Sequence, residues 1–462
     1  MSHQTEKTRE LVLWFFLPVL FSLLFVRLIY FQITEADFSF DKIDNRISQS
    51  KVIKSSRGKI VDRNDRILAE DIIFYDIGID LNYFSYKPDE IKFISDLLNI
   101  EEQNLRERSS NQRLKFIQIS KKVNREKVEA LKKEKIQGLV FDQKYYRNYP
   151  EGEAFSQLIG ITDINNDGLQ GIELSFQKSL DSSDGRKDLK RDGNGKVIEE
   201  VIIPEKDGDL IKLSIDSDYQ FIVFDELKRA VIENNASNAS AIMIDLDTEE
   251  ILAITNYPSF NPNDRKSLSD ISLVTNKASI SLLEPGSVLK PLSISLALDD
   301  ELINEDTLID TNPGWVEFED YRTEDFRNYG ILSVSEVIAK SSNVGTVKIC
   351  SQMNKSRVIS GIRSFGIGEY FSEMFLNHRE GFLPGEQNIS LRGLVSLCYG
   401  YGLQTTLLHI AKAYTGILND GIEANLKIIS SESNEIRRRI LKKETTDKIK
   451  NILIHTVNNG TG

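Results

Sequence analysis

A serine followed three residues later by a lysine is a spacing that can do chemistry. Ser287 and Lys290 stand so within Glu-Pro-Gly-Ser-Val-Leu-Lys-Pro, residues 284–291. Residues three apart share one helix face, so a hydroxyl and an amine point the same way. Pro285-Gly286 forces a turn, and Gly286 lets backbone approach a ligand closely. The apolar run 288–298 predicts a buried helix with Ser287 at its start, where free N–H groups and the helix dipole favour developing negative charge. Pro291 falls near the first turn, where a missing N–H costs least. A lysine amid Val288, Leu289, Leu292 and Ile294 is desolvated. Its pKa falls, and it can act at neutral pH as the base for a serine nucleophile. The bare pattern is weak, since Ser39–Lys42, Ser48–Lys51, Ser56–Lys59 and Ser175–Lys178 share it. These residues suit equally well a helix-capping serine followed by a surface lysine.

Ser341-Ser342-Asn343 is a second cluster. The Ser341 hydroxyl can relay a proton and the Asn343 amide can hold a substrate carbonyl. The same residues suit an N-cap ahead of a helix over 344–353, and cap and catalysis are compatible.

Elements must hold these groups, and the chain has enough residues to build them. Its 462 residues, 40% hydrophobic and 28% charged, predict two or three globular domains. A net charge of −12 and the lack of a basic stripe exclude a nucleic-acid binder. Cys350 and Cys398 are too few for a disulfide scaffold. Each lies in an apolar stretch and reads as a small buried core residue, a single bridge being the alternative in an exported domain. His3, His378, His409 and His455 are dispersed and form no metal-ligand cluster, and no G-x-S-x-G elbow supports a Ser-His-Asp triad. No cofactor and no metal are expected.

The run Leu11–Ile33 is long enough to cross a bilayer and has no small-residue cleavage site, so it predicts a retained transmembrane helix. Lys7 and Arg9 before it and Glu35, Asp37 and Asp41 after it predict a cytoplasmic tail over 1–10 and an extracytoplasmic chain beyond 33. Arg27 reads as snorkelling toward the outer interface. Beyond the anchor, Ile60-Val61 and Ile67-Leu68 flank an Asn64-Asp65 turn, and residues 72–80 read as a strand. The charged stretch 89–135 reads as helix-prone, and a turn cluster at 192–195 closes a mixed domain over 34–210. A second domain, 211–462, opens on an amphipathic helix with Phe221, Phe224, Leu227 and Val231 at helical spacing. Strands over 241–244 and 251–254 follow around a polar turn.

Taken together, these segments resemble the penicillin-binding transpeptidases and serine β-lactamases, whose signature is S-x-x-K, S-x-[ND] and K-[ST]-G. "RGKIVDRNDRILA" is similar to the membrane-proximal segment of class B penicillin-binding proteins, and "YPEGEAFSQLIGITDINNDGLQGIE" to their pedestal, or dimerisation, domain. "IMIDLDTEEILAITNYPSFNPN", "EPGSVLKP", "SSNVGTVK", "FGIG", "LPGE" and "YGYGLQTTLLHIAKAY" are similar to their transpeptidase domain. The Glu-Pro-Gly lead-in and Asn343 look like the septal, cell-division branch. The resemblance implies an α+β multidomain protein of the inner membrane: one transmembrane helix, a pedestal, and a transpeptidase domain with an antiparallel sheet. It implies peptidoglycan D,D-transpeptidation through an acyl-enzyme on Ser287, with Lys290 as base and Ser341 and Asn343 in the site. The substrate would be the stem pentapeptide ending in D-Ala-D-Ala, and β-lactams would acylate the same serine. A membrane-embedded glycan polymerase and other division proteins would be its partners.

The sequence departs from the family in places. No Lys-Thr-Gly or Lys-Ser-Gly occurs, and Asn458–Gly462 has Gly-Thr-Gly without the lysine, so the chain looks cut off before the third motif and inactive as it stands. Glu249 stands where glycine is usual, and Leu407 where proline is usual. Asp163–Glu173 mimics an EF-hand loop, but Leu174 occupies the twelfth position, so it reads as a turn. Glu373–Asn377 mimics the E-x-x-L-N loop of some β-lactamases, yet a β-lactamase has no use for an anchor and a pedestal. A β-lactam sensor would carry several spans. A non-catalytic division scaffold is the remaining alternative.

Overall fold

A computed structural model of the protein describes residues 2–30, 48–85, 87–110, 114–191, 197–264, 270–318, 321–370, 378–429 and 437–461. They fall into two compact units, one drawn from residues 1–56 and 182–207, the other from 57–181 and 208–462.

The first unit contains helix α1 (Ser2–Tyr30), with Pro18 inside it. Among the described residues no helix is long and apolar enough to cross a membrane. Residues 31–33 of the expected span lie outside the described residues. The same unit holds an antiparallel sheet of strands Ser48–Ile53, Gly185–Arg191 and Val197–Ile203, with Ser50 opposite Asp188 and Asp188 opposite Val201. The turn cluster expected at 192–195 also lies outside the described residues.

The second unit begins with the expected hairpin, β1 (Ile60–Val61) and β2 (Ile67–Asp80). Its turn forms because Asp62 Oδ1 accepts the N–H groups of Asn64 and Arg66, both at 2.8 Å, while Asp65 takes φ +65°. β2 pairs with β3 (Phe116–Val123) and with β4 (Leu139–Asn148), placing Ile79 opposite Ile117 and Ile72 opposite Tyr146. Helices Pro88–Leu98, Glu102–Ser109 and Arg125–Lys133 pack Ile91, Ile94, Leu105, Val128 and Leu131 into one core with Ile77 and Ile79. The helix-prone stretch 89–135 is therefore interrupted by a strand. Ile117, Ile119 and Val123 bury against β2, and this long-range pairing outweighs the helical preference of a charged segment.

β5 (Ile211–Lys212) runs parallel to β1 and leads into helix α2 (Ser217–Glu233), which Asp216 caps. β6 (Ala239–Ile244) and β7 (Ile251–Tyr257) pair antiparallel, the two strands expected on either side of the polar turn. Phe224 of α2 and Ile251 and Ile254 of β7 share a core with Ile60, Leu68, Phe155 and Leu158. Residues 57–181 thus bury apolar surface jointly with the later part of the chain.

A third core surrounds helix α3 (Lys290–Asp299), whose Leu292, Ile294, Leu296 and Leu298 are all buried. Fully burying one such side chain contributes about 1.5–3 kcal/mol. Around it lie α4 (Asn343–Cys350), α5 (Leu391–Cys398), α6 (Leu407–Leu418) and α7 (Lys443–Asn459). Cys350 and Cys398 are buried, but they are not two separate core thiols. They form a disulfide, with their Cα atoms 6.4 Å apart. Packing α4 against α5 brings the sulfurs together, and no spacing rule along the chain reports that. A short hairpin, β8 (Trp315–Phe318) and β9 (Tyr321–Glu324), stands ahead of α4.

Candidate active site

Ser287 sits on a 3-10 turn, Gly286–Leu289, that runs into α3. Gly286 has φ +60°, a left-handed conformation that favours glycine. The turn and the helix that follows it are held at three points. Gly286 N–H donates to Gly400 O at 3.0 Å, the Tyr414 hydroxyl donates to Val288 O at 2.7 Å, and the Ser293 hydroxyl donates to Cys398 O at 2.7 Å. Gly400 also has φ +90°, and a Cβ there would lie 2.0 Å from Gly286 O. Ser287 is exposed, while Lys290, one helical turn on, is only 1% exposed. A nucleophile open to solvent over a buried amine is the arrangement the spacing predicts. A surface lysine is excluded.

Lys290 Nζ donates to Ser341 O at 2.6 Å and to the Ser341 hydroxyl at 3.0 Å. Burial lowers the Lys290 amine to about 8, and the nearby Asp325 carboxylate offsets part of that fall. Among the described residues the Ser287 hydroxyl makes no hydrogen bond. Ser341 has φ +52°, unusual for a residue with a side chain. The helix cap falls on neither Ser341 nor Asn343. The Ser342 hydroxyl accepts Gly345 N–H at 2.9 Å and caps α4, which leaves Ser341 free to face Lys290. Asn343 is the first residue of α4, and its amide donates to Glu324 O at 3.0 Å.

Two family models match in succession: a penicillin-binding protein dimerisation domain over residues 52–213 and a penicillin-binding protein transpeptidase domain over residues 239–462. The peptidoglycan D,D-transpeptidase FtsI of Buchnera aphidicola subsp. Schizaphis graminum is 32% identical over 447 residues, covering 95% of this chain and 78% of that protein. The chain belongs to the penicillin-binding transpeptidases. The probable peptidoglycan D,D-transpeptidase PenA of Neisseria meningitidis is 30% identical, over 96% of this chain and 78% of its own. The fold is also that of a crystal structure described as a peptidoglycan synthetase from Bifidobacterium adolescentis, at a TM-score of 0.70 and 20% identity over 89% of this chain and 82% of that one.

The structure brings Lys290 of α3 against Ser341, two residues ahead of Asn343 at the start of α4. The stretch read as a turn at Asp163–Glu173 is one at its start, where Asp163 Oδ1 accepts the N–H groups of Asn165 and Asp167 at 2.7 and 2.9 Å, while its last residues open the helix Gly171–Ser175. Glu173 is buried between Arg57 and Arg147, 2.7 Å from each, so it faces no cation site. Among the described residues no group of side chains could hold a metal ion. The loop mimic at 373–377 lies outside the described residues. His409 is buried, with Nδ1 against the Thr406 hydroxyl at 2.7 Å and Nε2 against Glu369 O at 3.0 Å.

Sequence reasoning missed the pair Glu324-Asp325. Asp325 Oδ2 accepts the Ser342 hydroxyl at 2.6 Å and Oδ1 accepts Val344 N–H at 3.0 Å. No local motif marks these residues, because their role depends on where the β8–β9 hairpin ends in space.

Proposed function

We propose that the chain carries out peptidoglycan D,D-transpeptidation in cell division through an acyl-enzyme on Ser287. The observation that carries this reading is the buried, pKa-lowered Lys290, bonded to Ser341 one helical turn below the exposed Ser287. Ser287 Oγ attacks the penultimate D-alanine carbonyl of a stem pentapeptide. Lys290 takes the hydroxyl proton. The C–N bond breaks, and the proton passes to the departing amine of terminal D-alanine. An amine from a neighbouring stem then attacks the ester. The Oγ–C bond breaks, a new amide forms, and a proton returns to Oγ by way of Lys290 and Ser341. The Ser287 N–H supplies half of the oxyanion hole, and Asn343 holds the substrate's peptide carbonyl. β-Lactams acylate the same serine and leave slowly.

In this reading residues 11–33 anchor the chain in the inner membrane, with residues 1–10 inside. Residues 34–210 form the pedestal and 211–462 the transpeptidase domain, both outside. Trp14, Phe16, Phe21 and Phe25 are exposed on α1, which suits a lipid-facing helix. A membrane-embedded glycan polymerase and other division proteins are the partners this placement suits. The test is fluorescent-penicillin labelling of the full natural protein. Labelling that maps to Ser287 and vanishes in Ser287→Ala is expected, and labelling that survives the substitution overturns the assignment.

A further inference from the structure

Asn343, Ser342 and Val344 all make bonds to one dipeptide. Glu324 O accepts the Asn343 amide, while Asp325 binds the Ser342 hydroxyl and the Val344 N–H. We propose that Asp325 is a positioning residue for acylation: its carboxylate locks the turn that carries Ser341 and Asn343, and it supplies the negative charge that faces Lys290. This inference rests on the reading of Lys290 as the base.

The geometry makes the lock specific. Ser342 is fully buried, and its hydroxyl has one proton and a fixed environment. The proton goes to Asp325 Oδ2, and a lone pair takes Gly345 N–H. The hydroxyl therefore cannot rotate without leaving a buried group unpaired, which costs about 1–3 kcal/mol. Val344 N–H is one of the free donors at the start of α4, where the helix dipole also favours a carboxylate. On the upstream side Ser341 N–H and Ser342 N–H donate to Ile338 O and Val337 O, at 3.0 and 2.9 Å. Ser341 lies between these two anchors in its left-handed conformation. Such a backbone persists only where its surroundings over-determine it, and Asp325 is the downstream half of that constraint. The position of Asp325 is itself set by backbone, since its N–H donates to Gly314 O at 3.0 Å.

Charge gives Asp325 a second effect. Other charged groups on the elements around Lys290 are engaged elsewhere. Glu324 pairs with Arg322 at 2.7 Å, Lys340 pairs with Glu336 at 3.2 Å, Lys348 donates to Asp310 O, and Arg392 lies over the Tyr321 ring. Asp325 is the charge that acts on Lys290, and it favours the ammonium form. Too little negative charge would leave a weak base, and too much a base blocked by its proton. Asp325 sets that balance.

The experiment measures acylation of the full natural protein by fluorescent penicillin from pH 6 to 10, with thermal unfolding of each variant. Asp325→Ala removes both bonds and should lower the acylation rate constant at least tenfold. Asp325→Asn can still accept Val344 N–H, so it should recover part of the high-pH rate. Having lost the charge, it should also shift the acid limb of the profile to lower pH. That shift distinguishes positioning from a purely structural role, which would lower the melting temperature and leave the limb in place. Wild-type rates and an unmoved limb in both folded variants would overturn the proposal. If Ser287→Ala keeps its label, the parent reading fails and this inference with it. If Ser287 labels normally and only the Asp325 variants behave as wild type, this inference alone fails.

Discussion

Lys290 and Ser341 meet twice: the lysine Nζ lies 2.6 Å from the Ser341 carbonyl oxygen and 3.0 Å from its hydroxyl. A neutral amine has two N–H donors and one lone pair. Both donors are matched by Ser341, and the lone pair is left over, which the proposed mechanism uses to take the Ser287 proton. Lys290→Arg keeps the charge but cannot deprotonate. Acylation by fluorescent penicillin should fall by orders of magnitude while far-UV circular dichroism is unchanged. A near-normal rate would mean that Lys290 only positions substrate.

The same burial predicts a conflict between stability and activity. Lys290 falls from its ordinary 10.5 to about 8 on folding. Between those values the unfolded chain holds a proton that the folded one lacks, so stability rises with pH across that window. At pH 7 both states are protonated, and the buried charge costs about 3 kcal/mol. Lys290→Met should therefore raise stability at pH 7, by about 1–2 kcal/mol after the loss of its two hydrogen bonds. The gain should shrink as the pH approaches 10, and acylation should be absent throughout. Chemical denaturation at pH 7 and pH 10 checks the sign.

Gly400 and Gly286 touch through backbone, and both adopt left-handed φ. Gly400→Ala would place a methyl group 2.0 Å from Gly286 O and displace the turn that carries Ser287. The acylation rate constant should drop more than tenfold, since small misplacement of a nucleophile is costly. Stopped-flow labelling of the folded variant measures it.

The Cys350–Cys398 bridge closes a separation of 48 residues and joins α4 to α5. Chain entropy assigns such a loop about 4 kcal/mol of stability. Reduction with a phosphine, or Cys350→Ala with Cys398→Ala, should lower the denaturation midpoint accordingly. An unchanged midpoint would show that the bridge contributes nothing.

Glu249, in place of the family's usual glycine, keeps the left-handed φ, at +59°, and is fully buried. Its carboxylate accepts Asn419 Nδ2 at 2.8 Å, Asn425 N–H at 2.9 Å and Arg437 Nη1 at 2.7 Å. These bonds offset the strain that glycine would avoid. Glu249→Ala keeps the strain and removes the bonds, so it should destabilise the fold, by about 1–3 kcal/mol for the buried groups left unpaired. Glu249→Gly should cost less, because it relieves the backbone. Comparing the two midpoints separates strain from bonding.

What the sequence determined by itself was local. The Asn64-Asp65 turn, the amphipathic helix at 217–233, the β6–β7 hairpin and the two candidate motifs follow from periodicity and turn chemistry within a few residues. The placement of Ser287 on a turn and Lys290 one helical turn later also follows from spacing alone. Whether that lysine was a surface charge or a buried base did not. Burial is set by α4 and the Ser341 turn, 51 residues away, and burial is what lowers the amine's pKa. Tertiary structure likewise assigned the cap to Ser342, joined Cys350 to Cys398, turned residues 116–123 into a strand against β2, and brought Asp325 to the second motif. Each of these is a contact between segments far apart in the chain. Local preferences carry no information about which distant segment will complete a hydrogen bond or exclude water, so packing decided them.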